Sequence, residues 1–174
     1  MTYKDSLAQA MHKLAEDPKV VFIGYGIRCG GQAAGTLKGI PEVQLIETPV
    51  AENLMVGLGV GLALKGYKPV VFIERFDFIL NALDAIVNHL DKINIMSRGE
   101  FKPTMILRVV AGNTQKPLFT GETHTQDFSE AISKMVTFPV IGLRDAGQIG
   151  EAYAVAQERL AVNSSMLVEY KDFY

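Results

Sequence analysis

Cysteine is almost absent: Cys29 is the only one in 174 residues, so no internal disulfide can form. The opening Met1-Thr-Tyr-Lys lacks the apolar core of a secretory signal, and a cytoplasmic setting is expected. Long hydrophobic runs are also missing. The longest, over 54–64, falls far short of the roughly 20 residues that span a bilayer, and its glycines suit close packing within protein. The formal charge is only −2, with lysines scattered along the chain, so there is no clustered basic face to neutralise phosphates. Nucleic acid and membrane are thereby set aside, and small molecules and proteins are the expected partners. No internal repeat, low-complexity tract or dividing linker interrupts the sequence. What is present is apolar residue, 48% of the total in well-separated runs, enough to bury one core in a single domain over 1–174.

Ser6, Leu7, Met11 and Leu14 recur at helical spacing before Pro18, and the apolar run at 20–23, closed by Gly24, predicts a buried strand. A glycine-rich loop follows. Further strands are expected over 43–46, 69–73, 104–110, 138–143 and 165–169, with helices beginning near Glu52 and over 78–96 and 146–160. Apolar strands alternating with helices predict an α/β fold of three layers, a mostly parallel sheet with helices on both faces, because right-handed crossovers place the helices there. Ligands of such sheets bind at the carboxyl ends of the strands.

Glu47-Thr-Pro-Val-Ala-Glu52 places one carboxylate where a strand gives way to a helix. A glutamate in a first helical turn is ordinarily a cap worth a few tenths to about 1 kcal/mol. Here Val50, Ala51, Leu54 and Met55 supply apolar neighbours, the surroundings in which a carboxyl group exchanges protons usefully near neutral pH. In the same helix Gly57 and Gly61 lie four apart on one face, and with Gly59 and Ala63 they allow a second backbone close, as in a tight helix or subunit contact. The 20–23 strand followed by Gly24-x-Gly26-x-x-x-Gly30, with Glu47 ending the next strand, also suggests a dinucleotide-binding unit. It departs from that fingerprint by one residue, and its helix would carry Gly30, Gly31, Gly35 and Gly39, each costing about 1 kcal/mol against alanine. His124 lies in a polar loop before an amphipathic helix and is either a functional donor or a plain loop histidine. His12 and His89 fall on helices, as surface or interface residues.

Taken together these segments resemble the pyrimidine-binding domain of the beta subunits of 2-oxoacid dehydrogenases, within the transketolase-like thiamine-diphosphate family. The resemblance runs along nearly the whole chain. Thr48-Pro-Val-Ala-Glu52 with Gly57 to Gly61 matches the family's Thr-Pro-(Ile/Val)-x-Glu and Gly-x-x-x-Gly helix, and Gly66-Tyr-Lys-Pro69 its Gly-(Leu/Tyr)-x-Pro. Phe76-Asp-Phe78 and Asp84-Ala-Ile-Val-Asn88 match its Phe-Asp-Phe and its Asp-x-Ile-Val-Asn helix, and Ile95-Met-Ser-Arg-Gly-Glu-Phe101 approximates its Tyr-Met-Ser-Gly-Gly-x-Phe loop. The resemblance implies that Glu52 hydrogen-bonds the ring nitrogen of the cofactor's aminopyrimidine and sets its proton exchange. It implies that Phe78 stacks on that ring, that Asn81 reaches its edge, and that Phe76 belongs to the same cofactor-binding set. Read without the family, Phe78 is equally a core aromatic. His124, matching a His-Ser-Gln, is implied as a catalytic donor on the substrate side.

Two departures shape the functional expectation. The family's diphosphate site, a Gly-Asp-Gly leading to an Asn that together hold magnesium, has no counterpart here. The resemblance therefore implies an alpha-type partner subunit carrying Mg2+, no metal ligands on this chain, and a heterotetramer. The family's C-terminal domain is expected to be lacking as well, and the 110–119 segment differs from the family's Gly-Pro-x-Gly run. The expected function is a subunit that, with its partner, decarboxylates a 2-oxo acid and transfers the resulting acyl or aldehyde unit. A split transketolase acting on a ketose, a non-catalytic regulatory subunit and a dinucleotide-binding domain are the alternatives.

Overall fold

The computed structural model describes residues 1–29, 31–119 and 121–174. Six parallel strands form one sheet in the order β2-β1-β3-β4-β6-β5: β1 Val20–Gly24, β2 Leu45–Glu47, β3 Lys68–Ile73, β4 Ile106–Ala111, β5 Val140–Leu143 and β6 Ser165–Tyr170. The helices are α1 Tyr3–Ala15, α2 Glu52–Leu64, α3 Ile93–Met96, α4 Ser129–Ser133 and α5 Ala146–Arg159. Among the described residues no helix is long and apolar enough to cross a membrane.

Alternate residues along each strand feed opposite faces. Val20, Phe22, Val70, Phe72 and Leu167 pack against α1 and α5 through Leu7, Met11, Leu14, Ile149 and Tyr153. Ile23, Val71, Ile73, Leu107, Val109 and Val168 pack on the other side against Met55 and Val56 of α2 and the 76–90 segment. The expected three-layer α/β architecture is therefore present, with every strand pair parallel. Thr2 caps α1 in a reciprocal box with Asp5, which fixes the helix start.

Two local expectations are corrected. The helix predicted over 78–96 is instead a 3-10 segment Phe76–Ala82, a π-helical segment Ala85–Leu90 and the short α3. Within the 3-10 segment the buried apolar residues Phe76, Ile79 and Ala82 fall three apart, which stacks them on one face at three residues per turn but not at 3.6. Strand β2 begins two residues later than the apolar pattern suggests. Val43 is 89% exposed in a 3-10 turn, while the buried Gln44 side chain turns back to the carbonyls of Ala15, Asp17 and Val20.

Among the described residues one ion pair lies wholly inside. Arg108 of β4 reaches across to Glu169 of β6, Nε to Oε1 at 2.6 Å and Nη2 to Oε2 at 3.0 Å, and Nη2 also donates to Thr36 Oγ1 at 2.9 Å. Tyr153 and Tyr174 donate to the same carboxylate, each at 2.6 Å. Desolvation opposes the charge on Arg108, but Glu169 outweighs it and the pKa is raised. Burial, then Glu169, pushes the Tyr153 and Tyr174 phenols well up.

Candidate functional site

From β1 the chain passes to β2 on one side, and after β2 it crosses by α2 to β3 on the other. The crevice beyond the carboxyl ends of β1 and β3 is thus the topological switch point where open parallel sheets bind ligands. A cleft of about 360 Å³ opens there, lined among others by Tyr25, Gly26, Cys29, Glu47, Phe72 and Glu74. A smaller pocket of about 60 Å³ shares Tyr25, Phe72 and Glu74 with it and adds Val50, Glu52, Met55 and Phe78. Gly24 closes β1 at a point where a Cβ would stand 2.9 Å from the Phe72 carbonyl oxygen, so a side chain there would force β1 and β3 apart.

The loop after β1 is pinned by Glu47. Its carboxylate accepts the backbone N–H groups of Gly26, Arg28 (2.7 Å) and Cys29 (3.4 Å). Gln32, Ala33 and Ala34 then turn left-handed at φ 44°, 50° and 58°, a conformation costing an L-residue roughly 1–2 kcal/mol each. Thr36 ties the end of this turn to Arg108. Among the described residues no helix opens between β1 and the 3-10 turn Glu42–Gln44, and Gly30 lies outside them. The dinucleotide reading is corrected on this ground: it needs a helix amino terminus at the glycines and a free acidic group at Glu47, and the chain offers neither.

Glu52 is the first residue of α2, at the positive end of the helix dipole. It is 4% exposed, and its carboxyl has no hydrogen bond or ion pair among the described residues. Buried polar groups are nearly always paired, so a carboxyl reachable only through a pocket is the group there that lacks a partner. Phe78 is half-buried in the wall of that pocket. His124 meets Phe78 edge-on, with ring centroids 5.3 Å apart and planes at 84°. The chain thus brings Glu52, Phe78 and His124 to one place from α2, the 76–82 segment and the loop after β4.

The remaining candidates sit elsewhere. Phe76 has no exposure and stands edge-on to Phe128 in the core at 5.9 Å. Asn81 is exposed and lines neither the cleft nor the Glu52 pocket. His12 binds the carbonyl of Lys38, and His89 pairs with Asp84 on the surface. Sequence reasoning passed over Tyr25 and Glu74, which line both cavities, and over Gly112. A Cβ on Gly112 would lie 1.7 Å from the His124 carbonyl oxygen, so the loop carrying His124 docks on β4 only because that position is glycine. Its signal was the unexplained glycine directly after a strand. Lys171, next to the end of β6, is pushed down by burial and Arg75, with Glu74 opposing. Among the described residues no three His, Cys, Asp or Glu side chains are grouped to hold a metal.

Residues 1–169 match the family model described as "Transketolase, pyrimidine binding domain". The pyruvate dehydrogenase E1 component subunit beta of Saccharomyces cerevisiae is 36% identical over 134 residues, 74% of this chain and 36% of that protein. The corresponding beta-1 subunit of Arabidopsis thaliana is 32% identical over the same length and shares. The chain therefore spans about a third of the length of these relatives. A solved structure titled "Split gene transketolase, inactive beta4 tetramer" superposes with a TM-score of 0.70 over 97% of this chain and 51% of that one, at 17% identity, and shares the fold.

Proposed function

Because this chain belongs to the transketolase pyrimidine-binding domain family, we propose that it is the beta-type subunit of a two-component thiamine-diphosphate enzyme that decarboxylates a 2-oxo acid and transfers the resulting acyl or aldehyde unit. The observation that carries this reading is the buried, unpartnered Glu52 carboxyl in a pocket walled by Phe78. The residues fit one edge of an aminopyrimidine: Glu52 would hold the ring nitrogen and Phe78 would offer an aromatic face. When bound, the cofactor supplies the carbanion stabilisation that no side chain provides. Glu52 holds and returns a proton at its carboxyl, sheltered from bulk water by Met55 and Phe72. His124, beside Phe78, donates on the substrate side.

A pocket of about 60 Å³ takes part of a cofactor only, and the diphosphate and its Mg2+ are assigned to an alpha-type partner in a heterotetramer. Exposed apolar residues around the site, Val50, Leu54 and Leu80, support a second chain closing over it. The exposed glycines of α2, Gly57 and Gly61, with open space above them, support close approach of another backbone. A cytoplasmic setting is part of the same reading and rests on the single cysteine.

The test is to purify the chain with whatever partner it holds from native cells and assay the pair with thiamine diphosphate and Mg2+. The expected result is turnover of a 2-oxo acid that Glu52→Gln abolishes. Turnover of ketoses alone would reassign the pair to ketol transfer, and full activity of Glu52→Gln would refute the catalytic role.

A further inference from the structure

His124 belongs to a long connection, 112 to 128, between β4 and α4, and its residues 115–119 are exposed. Thr123 Oγ1 touches the ring directly, 3.1 Å from Nδ1, but both residues ride on the same loop, so where the ring sits against Phe78 depends also on how that loop is anchored. Gly112 leaves room for the His124 carbonyl. Beyond the histidine, Asp127 accepts from Ser129 N at 2.9 Å and from the Tyr170 hydroxyl at 3.0 Å, with Arg144 at 3.6 Å. Between these two anchors Gln126 Nε2 donates to Asp77 Oδ1 at 2.8 Å. Asp77 directly precedes Phe78 in the chain, so one short segment both presents the Phe78 ring and grips the loop that sets His124 against it. Asp77 is buried, and its Oδ2 has no partner among the described residues. Leaving a buried polar atom unpaired is unfavourable, and a plain core position would be filled more stably by an apolar residue of similar size. What the carboxylate adds is a hydrogen bond about twice as strong as a neutral one, placed where the two ring-bearing segments meet.

We propose that Asp77 is a positioning residue: by holding Gln126 it fixes the edge-on approach of His124 to Phe78, and so the point from which His124 meets the substrate. The catalytic half of this statement rests on the proposed function. The geometric half does not, and it can be measured separately.

The geometric test is the proton NMR spectrum of the His124 ring in the full chain, assigned by comparison with His124→Ala. Phe78 lies 5.3 Å away, so its ring current displaces these resonances, and Phe78→Leu removes the displacement. Gln126→Ala and Asp77→Ala are expected to abolish the displacement while the remaining spectrum keeps its native dispersion. Asp77→Asn, which retains an oxygen acceptor for Gln126, is expected to preserve it. Gln126 is exposed, so its variant folds even if Asp77→Ala does not. An unchanged His124 displacement in Gln126→Ala overturns the proposal.

In the assembled enzyme, Gln126→Ala should lower kcat on the order of 10- to 100-fold, the usual consequence of misplacing a group by about 1 Å. The same substitution in a His124→Ala background should cost almost nothing further. Equal losses in both backgrounds would sever the link to His124. If Glu52→Gln leaves the enzyme active, the functional reading fails on its own, and the NMR result still decides the positioning claim.

Discussion

Glu169→Gln is the substitution whose cost the structure fixes most sharply. The side chain keeps its shape and volume, but the amide replaces a carboxylate that accepts four hydrogen bonds, two from Arg108 and one each from Tyr153 and Tyr174. Arg108 has no exposure, and its Nη1 already lacks a partner among the described residues, so the guanidinium cannot turn to water. Breaking a buried pair by neutralising one side costs about 3–5 kcal/mol. Against a total stability on the order of 5–15 kcal/mol this is a large fraction. With a urea slope of about 2 kcal/mol per molar, the unfolding midpoint should fall by roughly 2 M with the slope unchanged. Arg108→Met/Glu169→Met removes both charges, and its cost should fall well short of the sum of the two single substitutions. A midpoint shift below about 0.3 M for Glu169→Gln, or strictly additive singles, would refute the claim that this ion pair is dry and mutually dependent.

Gly112→Ala should release the His124 loop, because the new methyl collides with backbone and not with a movable side-chain tip; limited proteolysis within 113–127 should accelerate while the core unfolds nearly as before. Gly57→Ala and Gly61→Ala meet no atom within 4 Å and sit in the interior of α2, so each should stabilise the chain alone by about 0.5–1 kcal/mol, read as a rise in Tm, while weakening assembly in sedimentation experiments. Gly59→Ala should destabilise instead, since its Cβ would stand 2.9 Å from Met105 and 3.0 Å from Val71. Burial pushes Asp91 up, but Lys92 and Thr137 outweigh it and hold the carboxyl below its ordinary value. A lowered pKa contributes stability above the unfolded value, about 3.9, that is lost as pH falls through the folded one. The gap between wild type and Asp91→Asn in urea midpoints should therefore be widest near neutrality and narrow below about pH 4.

The centre of the sheet was legible because β1, β3, β4 and β6 are largely apolar runs buried on both faces, and that pattern survives without knowledge of neighbours. The position of Glu52 was legible for a related reason: a strand-to-helix turn rich in small apolar residues leaves one carboxylate at the crevice. Where the pattern misled, a tertiary partner decided. Val43 is a good strand residue, yet the reach of Gln44 toward 15–20 bends the chain first. Phe76 and Phe78 look equivalent in sequence, two apart in one aromatic pair, but only Phe78 reaches the pocket while Phe76 turns to Phe128. The hold of Asp77 on Gln126 joins residues 49 apart, and no local pattern encodes it. Arg108 and Glu169 could have been paired on paper, because each is the one charge within an otherwise apolar strand.

The most direct test of the central claim is hydrogen–deuterium exchange at the reactive thiazolium carbon of thiamine diphosphate bound to the complete complex, compared between wild type and Glu52→Gln. If Glu52 governs proton exchange from its buried pocket, the variant should bind cofactor yet exchange at least about 100-fold more slowly, in the range assigned to a positioned acid or base. Equal exchange rates at equal cofactor occupancy would contradict the account and leave Glu52 only as a carboxylate at the positive end of the α2 dipole.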